Sequence, residues 1–123
     1  MRKLSTDSIP LPLAKQLAEA HQGPVVLVNK FTVGLGDRDA LIAAWADDAA
    51  FFKRQPGFMW TQLHRGIGDS GVFLNYAVWE SLDAFRTALG QPEFRSRLAQ
   101  YPESAVASPY LFEKIAVPGL CVK

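Results

Sequence analysis

Strand-like and helical segments alternate along this chain, and their order restricts the fold more than any other feature. The first strand-like segment, Val25 to Val33 (VVLVNKFTV), is rich in β-branched residues. Residues 38–54 then carry apolar side chains at helical spacing. Two further strands are predicted, from Phe58 to Gly66 and from Val72 to Glu80. The first two-thirds of the chain therefore reads as strand, helix, strand, strand.

The remainder supplies a second helix and a last strand. Ser81 is a suitable N-cap for a helix that Gly90-Gln91-Pro92 interrupts and that continues from Glu93 to Ala99. Residues 102–109 are predicted to be loop, and Tyr110 to Val117 (YLFEKIAV) to be a strand. The order β-α-β-β-α-β predicts an α+β protein with the ferredoxin-like fold, in which one four-stranded antiparallel sheet carries both helices on one face.

The length of 123 residues corresponds to a single domain. Residues 1–23 differ in character, because a proline-containing lead-in precedes a short helical pattern from Leu11 to His21. We therefore divide the chain into an N-terminal extension with a short helix (1–23), the ferredoxin-like domain (24–118) and a C-terminal tail (119–123).

Composition excludes several classes of protein. Thirteen Lys and Arg against twelve Asp and Glu give a net charge of +1, which argues against a nucleic-acid partner. Cys121 is the single cysteine, so an internal disulfide framework is excluded. The basic start is soon interrupted by Asp7 and Pro10, and neither a secretion signal nor a membrane span is evident. We expect a cytoplasmic protein without membrane partners.

One face of the predicted sheet has no helix to cover it. Alternation along the strands places a largely apolar set there: Val26, Val28, Val72, Leu74, Tyr76 and Val78. Large exposed apolar patches are rare on soluble monomers. We therefore predict a homodimer that packs sheet against sheet.

Two possible cofactor signals have simpler explanations. Gly66 to Gly71 matches the dinucleotide-binding pattern GxGxxG, but a strand follows it, whereas that motif requires a helix. The glycines are therefore assigned to a hairpin. His21 and His64 are isolated, without a second histidine at helical spacing or a nearby cysteine, so no metal site is predicted.

Two asparagines interrupt otherwise apolar strand faces. Asn29 shares its face with Leu27 and Phe31, and Asn75 shares its face with Trp79. An unpaired buried amide costs roughly 1–3 kcal/mol, so each needs a partner. They either bond to each other or to nearby backbone, or they line a cavity and bind the oxygens of a ligand. Asn75 and Trp79 are roughly 13 Å apart along the strand, about the length of a three-ring aromatic molecule.

These residues also carry a family resemblance. NYAVWESLDAFR (residues 75–86), PGF (56–58) and Asn29 make residues 24–118 resemble the antibiotic-biosynthesis monooxygenase family. The resemblance is greatest to its cofactor-free, quinone-forming oxygenases, which are dimeric α/β-barrels acting on an aromatic polyketide with O2. It implies Asn29, Asn75 and Trp79 as catalytic residues, with no cofactor and no metal.

The resemblance also implies a substrate-binding set, which comprises Phe31, Phe51, Leu63, Phe73, Phe85 and Arg95. Leu63 and Phe85 stand where family members have pocket tyrosines, so a tyrosine proton relay is not expected. The haem-degrading branch has a tryptophan and an iron-ligating histidine that fall on Ala88 and Leu98, so haem degradation is disfavoured.

The resemblance thus implies a cofactor-independent monooxygenase that oxidises an anthrone or phenolic substrate to a quinone with O2. Asn29 and Asn75 would donate to the developing oxyanion, and Trp79 would stack on the ring and donate its N–H to a peroxide. No strong general base is evident, so the substrate's own acidity would assist deprotonation. The alternatives are a non-catalytic dimer that binds a small hydrophobic molecule, or a structural dimer with a filled pocket.

Overall fold

The computed structural model describes residues 3–4 and 11–123, which form a five-stranded sheet with helices. The strands are β1 (Lys3–Leu4), β2 (Val25–Thr32), β3 (Phe58–Arg65), β4 (Val72–Trp79) and β5 (Val106–Phe112). The helices are α1 (Leu13–Gln16), α2 (Arg38–Lys53), α3 (Leu82–Leu89) and α4 (Pro92–Leu98), and a 3-10 turn, Leu35–Asp37, precedes α2. Within the described residues, no helix combines the length and apolar character needed to cross a membrane.

The sheet order is β1-β5-β2-β4-β3, and β2 to β5 pair antiparallel. The two residues of β1 add to the edge of β5 in parallel. The four antiparallel strands confirm the predicted ferredoxin-like α+β fold. The central pair, β2 and β4, sets Asn29 directly opposite Asn75.

The strands, helices and turns predicted for the middle of the chain are confirmed. The strands β2, β3 and β4 and the helix α2 each end one residue before the predicted limit. The Ser81 hydroxyl accepts a hydrogen bond from the Ala84 N–H at 3.0 Å, so it caps α3 as expected. The glycine-rich segment is a hairpin in which Gly68 has a φ of +81°. A Cβ at Gly71 would lie 2.3 Å from the Val33 carbonyl oxygen, which explains the glycine there.

Two predicted elements are wrong in extent. The last strand is Val106–Phe112 rather than Tyr110 to Val117, so part of the predicted loop 102–109 is strand. The strand includes Pro109, which lies beyond the short β1 pairing, where an edge strand tolerates a missing N–H. The predicted helix Leu11 to His21 is only the four residues of α1. Within the extension 1–23, residues 1–2 and 5–10 lie outside the described part.

The core lies between the sheet and the helices as two clusters. The first cluster surrounds Phe31, Leu41 and Phe73, and the second surrounds Trp79, Leu82 and Phe85. Alternate residues of β2 and β4 face these clusters, because successive strand side chains point to opposite sides. The space between the clusters is the site described below.

The opposite sheet face is apolar and only partly buried. Val26 and Val78 are buried, but Trp60, on the same face, is 48% exposed and its ring lies 5.1 Å from that of Tyr76. Phe112 at the end of β5 is exposed as well. The sheet-to-sheet homodimer predicted for this face therefore remains a prediction with a defined surface to test.

We expect the wild-type chain to sediment at about twice its monomer mass and Trp60→Glu to sediment as a monomer. A carboxylate at this position would have to be desolvated between two apolar sheets, which is strongly unfavourable. Ile67→Glu is the matched control, because Ile67 is 99% exposed in the hairpin loop. Sedimentation equilibrium distinguishes the two variants, and a monomeric wild type would refute the predicted dimer.

Candidate functional site

A cavity of about 360 Å³ lies between the helix-facing side of the sheet and the helices. Its size falls in the range of roughly 300–1,000 Å³ that is typical of small-molecule sites. The walls are mainly apolar and include Leu27, Trp45, Phe52, Phe58 and Leu89. Such a lining excludes water from most of the cavity and leaves orientation to the few polar groups on it.

Asn29 and Asn75 form the polar part of the sheet side of the cavity. The Asn29 Oδ1 accepts a hydrogen bond from the Ser108 backbone N–H at 3.1 Å. The Asn75 Oδ1 accepts one from the Thr61 hydroxyl at 2.6 Å. The two side chains therefore do not bond to each other, and partners on neighbouring strands hold both oxygens.

The side-chain nitrogens of the two asparagines remain available to a ligand. Within the described residues, no hydrogen bond involves Nδ2 of Asn29 or of Asn75. Because the Ser108 backbone N–H can only donate, it fixes which end of the Asn29 amide is the oxygen. The sheet thus presents two adjacent N–H₂ donors to a cavity in which Asn29 itself is only 8% exposed.

Trp79 lines the same cavity and is almost fully buried. Its ring packs edge-on against Phe52 and Phe58 and tilts against Phe85, at centroid distances of 5.4–5.7 Å. These contacts fix the plane of the indole. In the described part of the chain, the indole N–H has no hydrogen-bond partner. Trp79 therefore offers a rigid aromatic surface and one free donor.

The structure brings together only some of the predicted substrate-binding residues. Phe31 and Phe85 line the cavity. The lining formed by the described residues does not include four others, Phe51, Leu63, Phe73 and Arg95.

Core packing and helix orientation explain these four positions. Phe73 is buried in the cluster around Phe31 and Leu41, and Leu63 packs against the same cluster. Phe51 is buried in the core. Arg95 is exposed on α4, because Phe94 and Leu98 are the residues of that helix that face the cavity.

The sequence analysis missed a buried acid in the same cavity. Asp48 of α2 lines the cavity and is 7% exposed. Its Oδ2 accepts a hydrogen bond from the Tyr101 hydroxyl at 3.1 Å, while its Oδ1 is buried without a partner among the described residues. The sequence held one signal for it, since Asp48 shares a helix face with Leu41, Trp45 and Phe52.

The surroundings of Asp48 explain its titration. Burial raises the pKa of Asp48 to about 6, and the Tyr101 hydrogen bond and the nearby Arg97 partly oppose that rise. Burial and the facing Asp48 carboxylate raise the pKa of Tyr101 far above its ordinary value. Tyr101 therefore stays protonated and acts as a donor.

Arg97 connects α4 to the helix that carries Asp48. Its Nη1 lies 2.6 Å from Asp47 Oδ2, and its Nη2 lies 2.5 Å from Glu93 Oε2. Its ion pairs are made with these two acids and not with Asp48. The arginine thus ties α4 to α2 beside the cavity, and among the described residues the Asp48 carboxylate has no paired cation.

The chain is similar to known proteins over much of its length. Over 70 residues the chain is 46% identical to deoxynogalonate monooxygenase of Streptomyces nogalater, an alignment covering 57% of this chain and 58% of that protein. The chain thus spans less than two-thirds of that curated relative.

Two solved structures match over nearly their whole length. SnoaB, a cofactor-independent oxygenase from Streptomyces nogalater, is 35% identical with a TM-score of 0.73, over 79% of this chain and 98% of SnoaB. A candidate monooxygenase from Shewanella loihica is 30% identical with a TM-score of 0.67, over 80% of this chain and 100% of that one.

The family model described as antibiotic biosynthesis monooxygenase matches residues 24–99. That span includes β2, α2, the β3–β4 hairpin and α3. Asn29, Asp48, Asn75 and Trp79 all lie within it. Since the match covers more than half of the sequence, the chain belongs to the antibiotic biosynthesis monooxygenase family.

Proposed function

We propose that this protein is a cofactor-independent monooxygenase that oxidises an anthrone or phenolic aromatic substrate to a quinone with O2. The observation that carries the proposal is the pair of amides on β2 and β4 in an apolar cavity. Their oxygens accept hydrogen bonds, and their nitrogens have no partner among the described residues. The similarity to deoxynogalonate monooxygenase and to SnoaB supports the same reaction class.

The chemistry requires a substrate that can itself give one electron to triplet O2. A phenolate or an anthrone enolate is such a donor, whereas the neutral phenol or anthrone is a much weaker one. The protein must therefore favour the anion in a cavity that is poor in water. Preorganised N–H donors aimed at a developing oxyanion do this efficiently because they need no reorganisation during the reaction. Asn29 and Asn75 supply two such donors.

The aromatic part of the cavity fits the remainder of the substrate. Asn75 and Trp79 are separated by roughly 13 Å along β4, so a fused three-ring molecule spans the distance between them. The indole of Trp79 stacks on the far ring, and its N–H donates to the peroxide that forms after O2 attack. Phe31 and Phe85 form dry walls that keep water from the radical pair.

The overall conversion is balanced without a further reductant. The substrate anion transfers one electron to O2, and the resulting radical and superoxide combine to form a carbon–oxygen bond. Loss of water from the peroxide leaves one oxygen atom on the ring as the quinone carbonyl. The second oxygen atom leaves in the water.

The substitution Asn75→Asp tests the oxyanion role. It retains the oxygen that accepts from Thr61 and replaces the free N–H₂ with an anionic acceptor, so we expect kcat/KM to fall on the order of 10²-fold. Oxygen uptake with anthrone under air is the measurement. Gln22→Glu makes the same chemical change at an exposed position of the loop before β2 and should leave the rate unaltered.

Two outcomes would contradict the proposal. Full activity of a folded Asn75→Asp variant would remove this amide from the mechanism. Anthrone binding by the wild type without any oxygen uptake would identify the protein as a non-catalytic binding module instead.

The substitution Trp79→Phe tests the indole donor separately. It keeps an aromatic ring and removes the N–H, and a hydrogen bond to a charged group is worth about 1.5–3 kcal/mol, so we expect turnover to fall roughly 10- to 100-fold. Trp60→Phe on the outer sheet face is the matched control. Equal rates for the two variants, measured by quinone absorbance, would show that the indole N–H plays no part.

A further inference from the structure

The proposed reaction begins with loss of a proton, and one acid in the cavity has no other assigned role. Asp48 reaches the cavity from α2, whereas Asn29 and Asn75 reach it from the sheet. A flat substrate between sheet and helices therefore has the amide donors on one side and the carboxylate on the other.

Asp48 is poorly satisfied for a purely structural residue. It has one hydrogen bond, from Tyr101, and its Oδ1 is buried without a partner in the described residues. Among the described residues, the charged side chains that act on it are Asp47 on the same helix and Arg97 on α4, and Arg97 is bound to Asp47 and Glu93. Burying a carboxylate in this state is costly, and groups of this kind are concentrated at functional sites.

Tyr101 determines how the carboxylate is presented. Its hydroxyl donates to Oδ2, and its ring stacks on Phe31 with a centroid distance of 5.7 Å and an angle of 12°. Tyr101 is itself almost fully buried. The tyrosine is therefore a positioning residue that holds one oxygen of Asp48 and leaves the other available for a ligand.

We propose that Asp48 is the general base of this protein, accepting the proton of the bound aromatic substrate and later returning it to the peroxide. This inference rests on the proposed monooxygenase function and assigns the residue that starts the reaction. Proton transfer by a positioned side chain contributes typically about 10²–10⁴-fold to an enzymatic rate.

The proton and electron balance is closed. The C–H or O–H bond of the substrate breaks, its electron pair stays on the substrate, and the proton forms the carboxylic acid of Asp48. One electron passes to O2, and the radical pair collapses to a peroxide anion that takes the proton back. The O–O bond then breaks as the second hydrogen leaves the same carbon, which gives the carbonyl and water.

The raised pKa of Asp48, about 6, suits this role. Above that pH the carboxylate is ionised and able to accept a proton, and its affinity for the proton is greater than that of an exposed acid. Because the base form is the active one, the rate should rise as pH increases through about 6. The facing groups, Tyr101 and Arg97, lower this pKa, and Asp47 raises it.

The test is Asp48→Asn, with Asp39→Asn as the matched control, since Asp39 is exposed on the same helix. Asparagine keeps the size and the oxygen that accepts from Tyr101 but cannot take a proton. We expect kcat for anthrone oxidation to fall on the order of 10²-fold or more, with anthrone affinity in the absence of O2 changed less than about threefold. The wild-type dependence on pH near 6 should disappear in Asp48→Asn.

Tyr101→Phe gives an independent readout if Asp48→Asn folds poorly. Loss of its hydroxyl removes a hydrogen bond that lowers the pKa of Asp48, so the rise of kcat with pH should move to higher pH. A purely structural role for Tyr101 would lower activity without moving this profile.

The outcomes separate this inference from the proposed function. Activity should be compared across pH 5–8, a range that extends roughly one to two units on either side of the Asp48 pKa. If the wild type is active and Asp48→Asn is equally active over this range, Asp48 is not the general base, and the monooxygenase function is unaffected. A wild type that consumes no O2 with anthrone or with phenolic analogues would overturn both.

Discussion

The site depends on the antiparallel pairing of β2 with β4 in a register that sets Asn29 opposite Asn75. Strand side chains alternate between faces, so a shift of one residue in either strand would turn its asparagine and its aromatic neighbours to the outer face. The register is specified by the apolar positions around the amides, including Phe31 opposite Phe73. The same pairing that builds the core therefore also builds the pair of donors.

The fold keeps a cavity open by dividing its core in two. The cluster around Phe31 and Leu41 and the cluster around Trp79 and Phe85 each pack closely, and both contribute walls to the space between them. Side chains fixed by dense packing on one side can line a void on the other without collapsing into it. The ion pair between Arg97 and Asp47 adds a tie between α4 and α2 beside that void.

The sequence predicted correctly those structural features that depend on residues close together in the chain. The β-branched run of β2, the Ser81 cap and the glycine hairpin all depend on neighbouring residues, and the two asparagines stood out against apolar strand faces. The extent of β5 depends on Pro109 lying where an edge strand tolerates it, which no local pattern shows.

Asp48 was missed for a related reason. A single acid on an apolar helix face is also compatible with the margin of a solvated surface. The Tyr101 hydroxyl that bonds to Asp48 lies 53 residues further along the chain, so no local pattern indicates it. Tertiary contacts of this kind convert an ordinary helical aspartate into a group with a raised pKa of about 6.

Conservation of charge connects the amide pair to the buried acid. In the proposed mechanism, Asp48 takes a proton from a neutral substrate, so one buried anion disappears and another forms. The cavity then holds a single negative charge before and after the step. The desolvation cost of a charge in an apolar cavity is then already present in the folded protein and is not added during the reaction.

What changes is the position of the charge, which moves from α2 to the sheet side, where the free N–H groups of Asn29 and Asn75 stabilise it. Electron transfer to O2 moves the charge again, within reach of the Trp79 indole N–H. In this proposal Asp48, the amide pair and the indole act in sequence on one migrating charge. The apolar walls make each of these interactions stronger than it would be in water.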